Sequence, residues 1–316
     1  MNKKSISRSS TTIITAGSTY LDIDAYACMV AMAELLTLQG QPALAYSPAP
    51  CNYSVCKSLL VEGQIIKSLP SDFPAEIVEY IIVDVSNPDF LAASVPLEQI
   101  IAVYDHHTGF EDYWKKRIGV NTYIEFIGAA ATLIYREWKK ANLVRKMSRS
   151  TAKLLIAAIL DNTLNLTSSN TTQEDIETFM ELCEFACIDE SWCAAYFSDV
   201  QINVEADMQN ALLNDTKILC DNNLLPPRMA QLAVWDTTTI LARLPEIREW
   251  FSRTDAWMLN IIDIQHRCSY FVCDDIVYQK KIEQVFYIKF EYGVTRTPTP
   301  YLRKEIIKKT QHNALK

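Results

Sequence analysis

Two short runs constrain this chain more than any others: Tyr80-Ile81-Ile82-Val83 and Gln99-Ile100-Ile101-Ala102-Val103-Tyr104. Both have the length of a strand and almost no polar interruption, and each is closed by an aspartate, Asp84 and Asp105. A strand with one wet face alternates polar and apolar residues. A run without alternation belongs in a parallel sheet covered on both sides. Parallel strands need long crossovers, and the neighbouring sequence supplies them. The β-branched run 11–15 is followed by Ile23–Leu38, where Ala27, Val30, Ala31, Leu35 and Leu38 fall at helical spacing. Residues 43–46 read as a second strand. Residues 127–141, 150–160 and 171–187 read as helices, with Ser148 as an N-cap. Alternating β and α elements predict an open, mainly parallel sheet flanked by helices, with right-handed crossovers.

At 316 residues the chain is about twice a typical domain. The expected division is a domain over 1–187, a connection over 188–205 with no clear period, and a smaller α/β domain over 206–316. In the latter, 231–235 and 257–264 read as strands, 240–251 as a helix, and the end as a basic tail. No run of about 18 uncharged apolar residues exists, and Ile13-Ile14 is too short for a secretory core, so a cytoplasmic protein without a membrane partner is expected. Thirty basic against thirty-eight acidic residues, a net charge of -8, speak against a nucleic-acid duplex as partner. The nine cysteines lack CxxC spacing and read as reduced, mostly buried thiols rather than a zinc site. With seven glycines, none spaced as GxGxxG or GxxxxGK[ST], a glycine cradle for nucleotide phosphates is excluded. Any phosphate bound here is held by side chains and metals.

The chemistry is concentrated in the first half. Asp22-Ile23-Asp24, Asp84 and Asp105-His106-His107 follow expected strands, and Asp161 follows an expected helix. In an open parallel sheet, ligands bind beyond the carboxyl ends of the strands. Clustered carboxylates repel one another and one takes up a proton, unless cations resolve the conflict. Carboxylates mixed with imidazole suit Mn²⁺ or Co²⁺ better than Mg²⁺, and a pair of such ions can clamp a phosphoryl group. Only four histidines exist, which makes the adjacent pair after Asp105 hard to read as incidental. His266 and His312 read as structural or solvent-exposed.

These motifs resemble the DHH phosphoesterase superfamily, whose signature triplet is Asp105-His106-His107 here. Within it the chain is most similar to the family II (manganese-dependent) inorganic pyrophosphatases and their exopolyphosphatase relatives. The first motif is Gly17-Ser18-Thr19-Tyr20-Leu21-Asp22-Ile23-Asp24-Ala25, and the second is Ile82-Val83-Asp84. Ile127-Gly128-Ala129-Ala130-Ala131-Thr132 resembles the helix start after the third. The fourth is Leu160-Asp161-Asn162-Thr163-Leu164-Asn165-Leu166, with Thr171-Thr172 and Asp175 trailing it. The resemblance implies two divalent metals, Mn²⁺ foremost with Co²⁺ or Mg²⁺ as alternatives. Asp22 would bind one and Asp24 the other, Asp84 would bridge them, and His106 and Asp161 would complete the ligands of the second metal. Asp105 would orient His106, and His107 would contact phosphate and assist the leaving oxygen.

The second domain resembles, more weakly, the family's C-terminal (DHHA2) substrate-binding module. Lys217 in Asn214-Asp215-Thr216-Lys217, and Arg303 and Lys304 in Leu302-Arg303-Lys304, would bind phosphate; taken alone, Arg303, Lys304, Lys308 and Lys309 read equally as one solvated helix face. Ser18 departs from the family, which usually has histidine four residues before the first aspartate. That change weakens the first metal site or widens it towards Mg²⁺. The implied activity is hydrolysis of a phosphoanhydride, pyrophosphate foremost, by a metal-bridging hydroxide in a cleft between the domains. The partner is thus a small phosphate compound, and a homodimer stays open. Alternatives are a short-chain exopolyphosphatase, a DHH phosphodiesterase or oligoribonuclease, and a degenerate binder of phosphate compounds.

Overall fold

The computed structural model describes residues 10–60, 64–68, 78–219, 222–253 and 255–314, with side chains to 311. The reading of His312, the thiol of Cys220 and the first nine residues lie outside that set. The chain divides into two compact units, Met1–Cys193 and Ala194–Lys316.

The first unit runs β1 (Thr11–Thr15), α1 (Ile23–Leu38), β2 (Ala43–Ala45), β3 (Val78–Val83), β4 (Ile100–Asp105), α2 (Glu111–Ile118), β5 (Thr122–Ile124), α3 (Ala130–Lys140), α4 (Arg149–Asn162) and α5 (Gln173–Ala186). Its five strands are ordered β2-β1-β3-β4-β5 and every neighbouring pair is parallel. The two apolar runs are therefore adjacent central strands, and Ile82, Val83 and Val103 are wholly buried, as continuous hydrophobicity requires. From β1 the chain steps outward to β2, then returns past β1 to β3. The strand order thus reverses between β1 and β3, and the crevice at such a switch point is where open α/β sheets take ligands.

The helices form for local reasons. Asp22 caps α1, its carboxylate accepting from the Ala25 N–H at 2.9 Å, and Ser148 caps α4 through Thr151 N–H at 3.1 Å. Helix α5 opens with a reciprocal capping box between Thr172 and Asp175.

Residues 188–205, expected as an irregular connection, instead form most of a helix, α6 (Glu190–Ala206), and the boundary between the units falls inside it. Tyr196, Phe197, Val200 and Val204 form its buried face. The serine, asparagine and acidic residues between them obscured the period. Phe197 is fixed by stacking on Trp235, with ring centroids 5.7 Å apart.

The second unit continues with α7 (Met208–Asn214), β6 (Lys217–Ile218), β7 (Arg228–Val234), α8 (Thr238–Ala242), α9 (Leu244–Phe251), β8 (Trp257–Asp263), β9 (Cys268–Val272), α10 (Ile276–Phe286), β10 (Val294–Arg296) and α11 (Arg303–Ala314). Its sheet is ordered β10-β9-β8-β7-β6, and only β7 and β8 are parallel. The single helix expected over 240–251 is two helices meeting at Arg243, because Pro245 suits the first turn of a new helix and not the middle of an old one. The basic tail is helix α11. Among the described residues no helix is long and apolar enough to cross a membrane. Eight described cysteines are free thiols and five of them are buried, so the reading of most of them as buried thiols holds for this set.

Candidate metal centre

The acidic residues of the first unit converge because the sheet is parallel. Asp84 follows β3 and Asp105 ends β4, so both stand at one edge, beside the Asp22 cap of α1. Asp84 turns the chain with a φ of +54°, a left-handed conformation that aspartate tolerates better than most residues, while its N–H donates to Tyr104 O at 2.8 Å. Asp84, His106 and His107 each offer a ligand atom within 4.8 Å of the others.

His106 is the most informative residue. Its Nδ1 lies 3.3 Å from the carbonyl oxygen of Ile127, which can only accept, so Nδ1 carries the proton. In the neutral ring Nε2 is then a lone pair, and it stands 3.4 Å from Asp84 Oδ1. That carboxylate oxygen is buried and has no hydrogen-bond partner. Two lone pairs facing each other in a buried site call for a positive charge between them, and a divalent cation with mixed carboxylate–imidazole ligands meets that demand. Burial, and then the charges of Asp22, Asp24 and Asp105, push the Asp84 carboxyl well above the usual carboxylate range. The same crowding that disfavours its ionisation without a cation favours a cation's entry. The donor set therefore fits a metal.

Asp24 is wholly buried. Its two oxygens accept from Ala130 N–H and Ala131 N–H, each at 2.8 Å, tying α1 to the start of α3. Burial and the charge of Asp22 push it up to about 7, against those two bonds and the Cys28 thiol contact. Oδ1 accepts from the Cys28 thiol as well, whereas Oδ2 keeps a second lone pair through which the carboxylate can bind a metal. Asp161 lies in the last turn of α4, and it, Asp22 and Asp24 are outside the compact group of Asp84, His106 and His107. After Asp161 the chain makes a left-handed turn in which Leu164, Asn165 and Leu166 all have positive φ, between 50° and 61°. Such strain without glycine is characteristic of functional segments.

One expected role is corrected. Asp105 orients His107, not His106: its Oδ1 accepts from His107 Nδ1 at 2.8 Å and from the His107 backbone N–H at 3.1 Å. The ring of His106 is set instead by Ile127 O, a backbone group that no sequence pattern could single out. Burial raises the Asp105 carboxyl, but its bond to His107 and the nearby imidazoles outweigh burial and hold it below the usual range. Ser86, which the motifs passed over, donates to His107 O at 3.1 Å and is buried.

Asp175 braces the site from α5. It accepts from Gly128 N–H at 2.9 Å and Thr132 Oγ1 at 2.6 Å, besides its capping bonds to Thr172. Gly128 has to be glycine, since a Cβ there would lie 2.6 Å from both Asp175 Oδ2 and Thr163 Cγ2.

In the second unit Arg303 is buried, which removes it from any solvated helix face. Its guanidinium grips Asp215 with both arms, Nη2 to Oδ1 at 2.9 Å and Nη1 to Oδ2 at 3.1 Å. The backbone of Lys217 pairs with β7, and its ammonium forms no ion pair or hydrogen bond among the described residues. Burial of its ammonium and the charge of Arg303 lower its pKa, although the residue as a whole is exposed. Lys304 is exposed in the first turn of α11. His266, expected to be structural or solvent-exposed, has acidic partners: its Nδ1 is 2.9 Å from Asp263 Oδ1 and 3.9 Å from Asp236 Oδ2. These partners come from the ends of two adjacent strands, so sequence spacing hid one of them.

No family model matches the chain. Over 261 residues, 77% of its length, it is 24% identical to a Deinococcus radiodurans protein assigned as a manganese-dependent inorganic pyrophosphatase, 79% of which is covered. Its fold is shared with a Methanococcus jannaschii protein assigned to the family II inorganic pyrophosphatases, with a TM-score of 0.62 and 18% identity over 95% of this chain and 100% of the other. An exopolyphosphatase-related protein from Bacteroides fragilis matches with a TM-score of 0.51 and 13% identity, over 96% and 92% of the two chains. The resemblance read from the motifs and the expected fold class are both borne out.

Proposed function

We propose that this chain hydrolyses phosphoanhydride bonds, pyrophosphate foremost, in a reaction that depends on divalent cations, Mn²⁺ first among them. The observation that carries the reading is the buried, unpartnered Asp84 Oδ1 facing the lone pair of His106 Nε2. Asp84 and His106 hold one ion, with Asp22, Asp24 and Asp161 as the further ligands of a pair. Bound divalent ions neutralise phosphoryl oxygens and make water a nucleophile at neutral pH.

The chain's own residues have separate tasks. His107, its Nδ1–H fixed on Asp105 and its ring more than half exposed, presents Nε2 outward. When the ring carries its second proton, Nε2–H can donate to the oxygen of a departing phosphate. Lys217 and Lys304 supply compact positive charge for the substrate's remaining oxygens. Arg303 acts by holding Asp215, since its fork is already filled. Positioning and electrostatics carry most of the rate in phosphoryl transfer, and these residues provide both. The free thiols and the charge balance fit a cytoplasmic setting.

The test is a substrate panel with purified protein: pyrophosphate, tripolyphosphate, long polyphosphate and a dinucleotide, each with Mn²⁺, Mg²⁺ and Co²⁺. Phosphate release from pyrophosphate or tripolyphosphate supports the reading. Mononucleotides from the dinucleotide with no phosphate from either polyphosphate reject it.

A further inference from the structure

Strand β8 is buried along its whole length, yet its middle residue is Asn260. An asparagine in a central strand is disfavoured and a buried amide is costly unless its hydrogen bonds are made, so its position needs a reason. Asn260 pairs in register with Gln231 on β7. Its Nδ2 donates to Gln231 Oε1 at 3.1 Å and to the main-chain oxygen of Tyr301 at 2.7 Å. Gln231 Oε1 also accepts from the backbone N–H of Arg303 at 2.6 Å. Both amide orientations are dictated by these partners, since a carbonyl only accepts and a backbone N–H only donates.

Arg303 N–H is one of the donors that the start of a helix leaves without an intrahelical partner. The side chain immediately before a helix reaches the second or third helical N–H, so the first one, Arg303 N–H, needs an acceptor from elsewhere. The residue before the helix here is Leu302, whose carbonyl accepts from Ile306 N–H at 3.1 Å and whose side chain has no oxygen. The cap comes from another strand instead. Ser269 Oγ, accepting from Tyr301 N–H at 3.0 Å, holds the preceding turn.

We propose that Gln231 and Asn260 are positioning residues: together they cap α11 from the sheet, and so fix Lys304 and, through the Arg303–Asp215 pair, Lys217. This rests on the reading that Lys217 and Lys304 meet the phosphate substrate. The link from Arg303 to Lys217 is short in sequence, because Asp215 precedes Lys217 by two residues. An α11 that shifts or frays at its first turn moves the arginine and frees Asp215 to neutralise the lysine beside it. The amide pair therefore governs how much positive charge is presented, without touching the substrate.

The experiment compares the full-length chain with Gln231→Met, Gln231→Glu, Lys217→Ala and the double variant Gln231→Met/Leu302→Ser, in Mn²⁺. Readouts are KM and kcat for pyrophosphate, the Kd for inorganic phosphate, which needs no turnover, and Mn²⁺ affinity. Gln231→Met should raise KM and the phosphate Kd about tenfold, with kcat and Mn²⁺ affinity nearly unchanged. Gln231→Glu keeps the acceptor and should restore most of the loss. The double variant supplies a local cap on the second or third helical N–H, which holds the first turn of α11 and should recover part of the loss, and it remains informative if Gln231→Met alone does not fold. Gln231→Met binding phosphate like the parent, while Lys217→Ala binds it weakly, overturns the positioning role and leaves the reading of the cations standing. A Lys217→Ala variant that binds phosphate normally overturns that reading, and the positioning role falls with it. Equal damage in Gln231→Met and Gln231→Glu, with Mn²⁺ affinity reduced as well, marks a purely structural role and also overturns the proposal.

Discussion

His106 Nε2 stands 3.4 Å from Asp84 Oδ1, a buried carboxylate oxygen with no hydrogen-bond partner. This pair predicts metal binding directly. Asp84→Ala and His106→Ala should each weaken Mn²⁺ binding in calorimetric titration by more than the roughly tenfold that loss of an outer-shell partner costs. Parent-like Mn²⁺ affinity in both variants would remove the case for a metal at this edge.

Gly128 is enclosed by Asp175 and Thr163. Gly128→Ala should destabilise the chain by about 1–3 kcal/mol, the usual cost of overpacking a tight core position. The midpoint of urea unfolding reports it. Asp175→Ala should cost at least as much, because it strands the Gly128 and Thr172 N–H donors together with the Thr132 hydroxyl. The two losses should not add, since both act on one contact.

Arg136 grips Glu125 and Glu174 at once, its Nη2 standing 2.8 Å from Glu174 Oε2. The hydrogen bonds from Arg136 hold the Glu174 carboxyl below its ordinary value of 4.5. A depressed folded pKa contributes stability that is present above the unfolded value and is lost as pH falls through the folded one. Stability should therefore drop below pH 4.5 in the parent chain, and less steeply in Arg136→Met. Unfolding curves at neutral pH and across the acid range test this. The group is about a third exposed, so the effect is modest.

Ser18 is exposed, and its backbone N–H donates to Phe90 O at 2.8 Å, so a larger side chain has room there. Ser18→His adds an imidazole near the first motif. It should raise the affinity of the weaker of the bound Mn²⁺ ions, read by titration; unchanged affinity would argue against Ser18 lying beside a metal.

Much of this molecule was written in local sequence. The uninterrupted runs before Asp84 and Asp105 specified buried parallel strands, because only a sheet covered on both faces accommodates such runs. Ser148 marked a helix start, since capping is a contest among neighbours in the chain. The placing of carboxylates and histidines at one sheet edge followed from the same periodicity. Tertiary structure alone decided which imidazole Asp105 holds, because neighbouring side chains on a turn can exchange partners without altering the sequence pattern. It decided that Ile127 O orients His106, a contact that every residue's backbone could make equally well. It also turned Arg303 inward onto Asp215 and gave the Arg303 N–H an acceptor in Gln231, since charge and hydrogen-bond demand are met across strands that only the folded chain brings together.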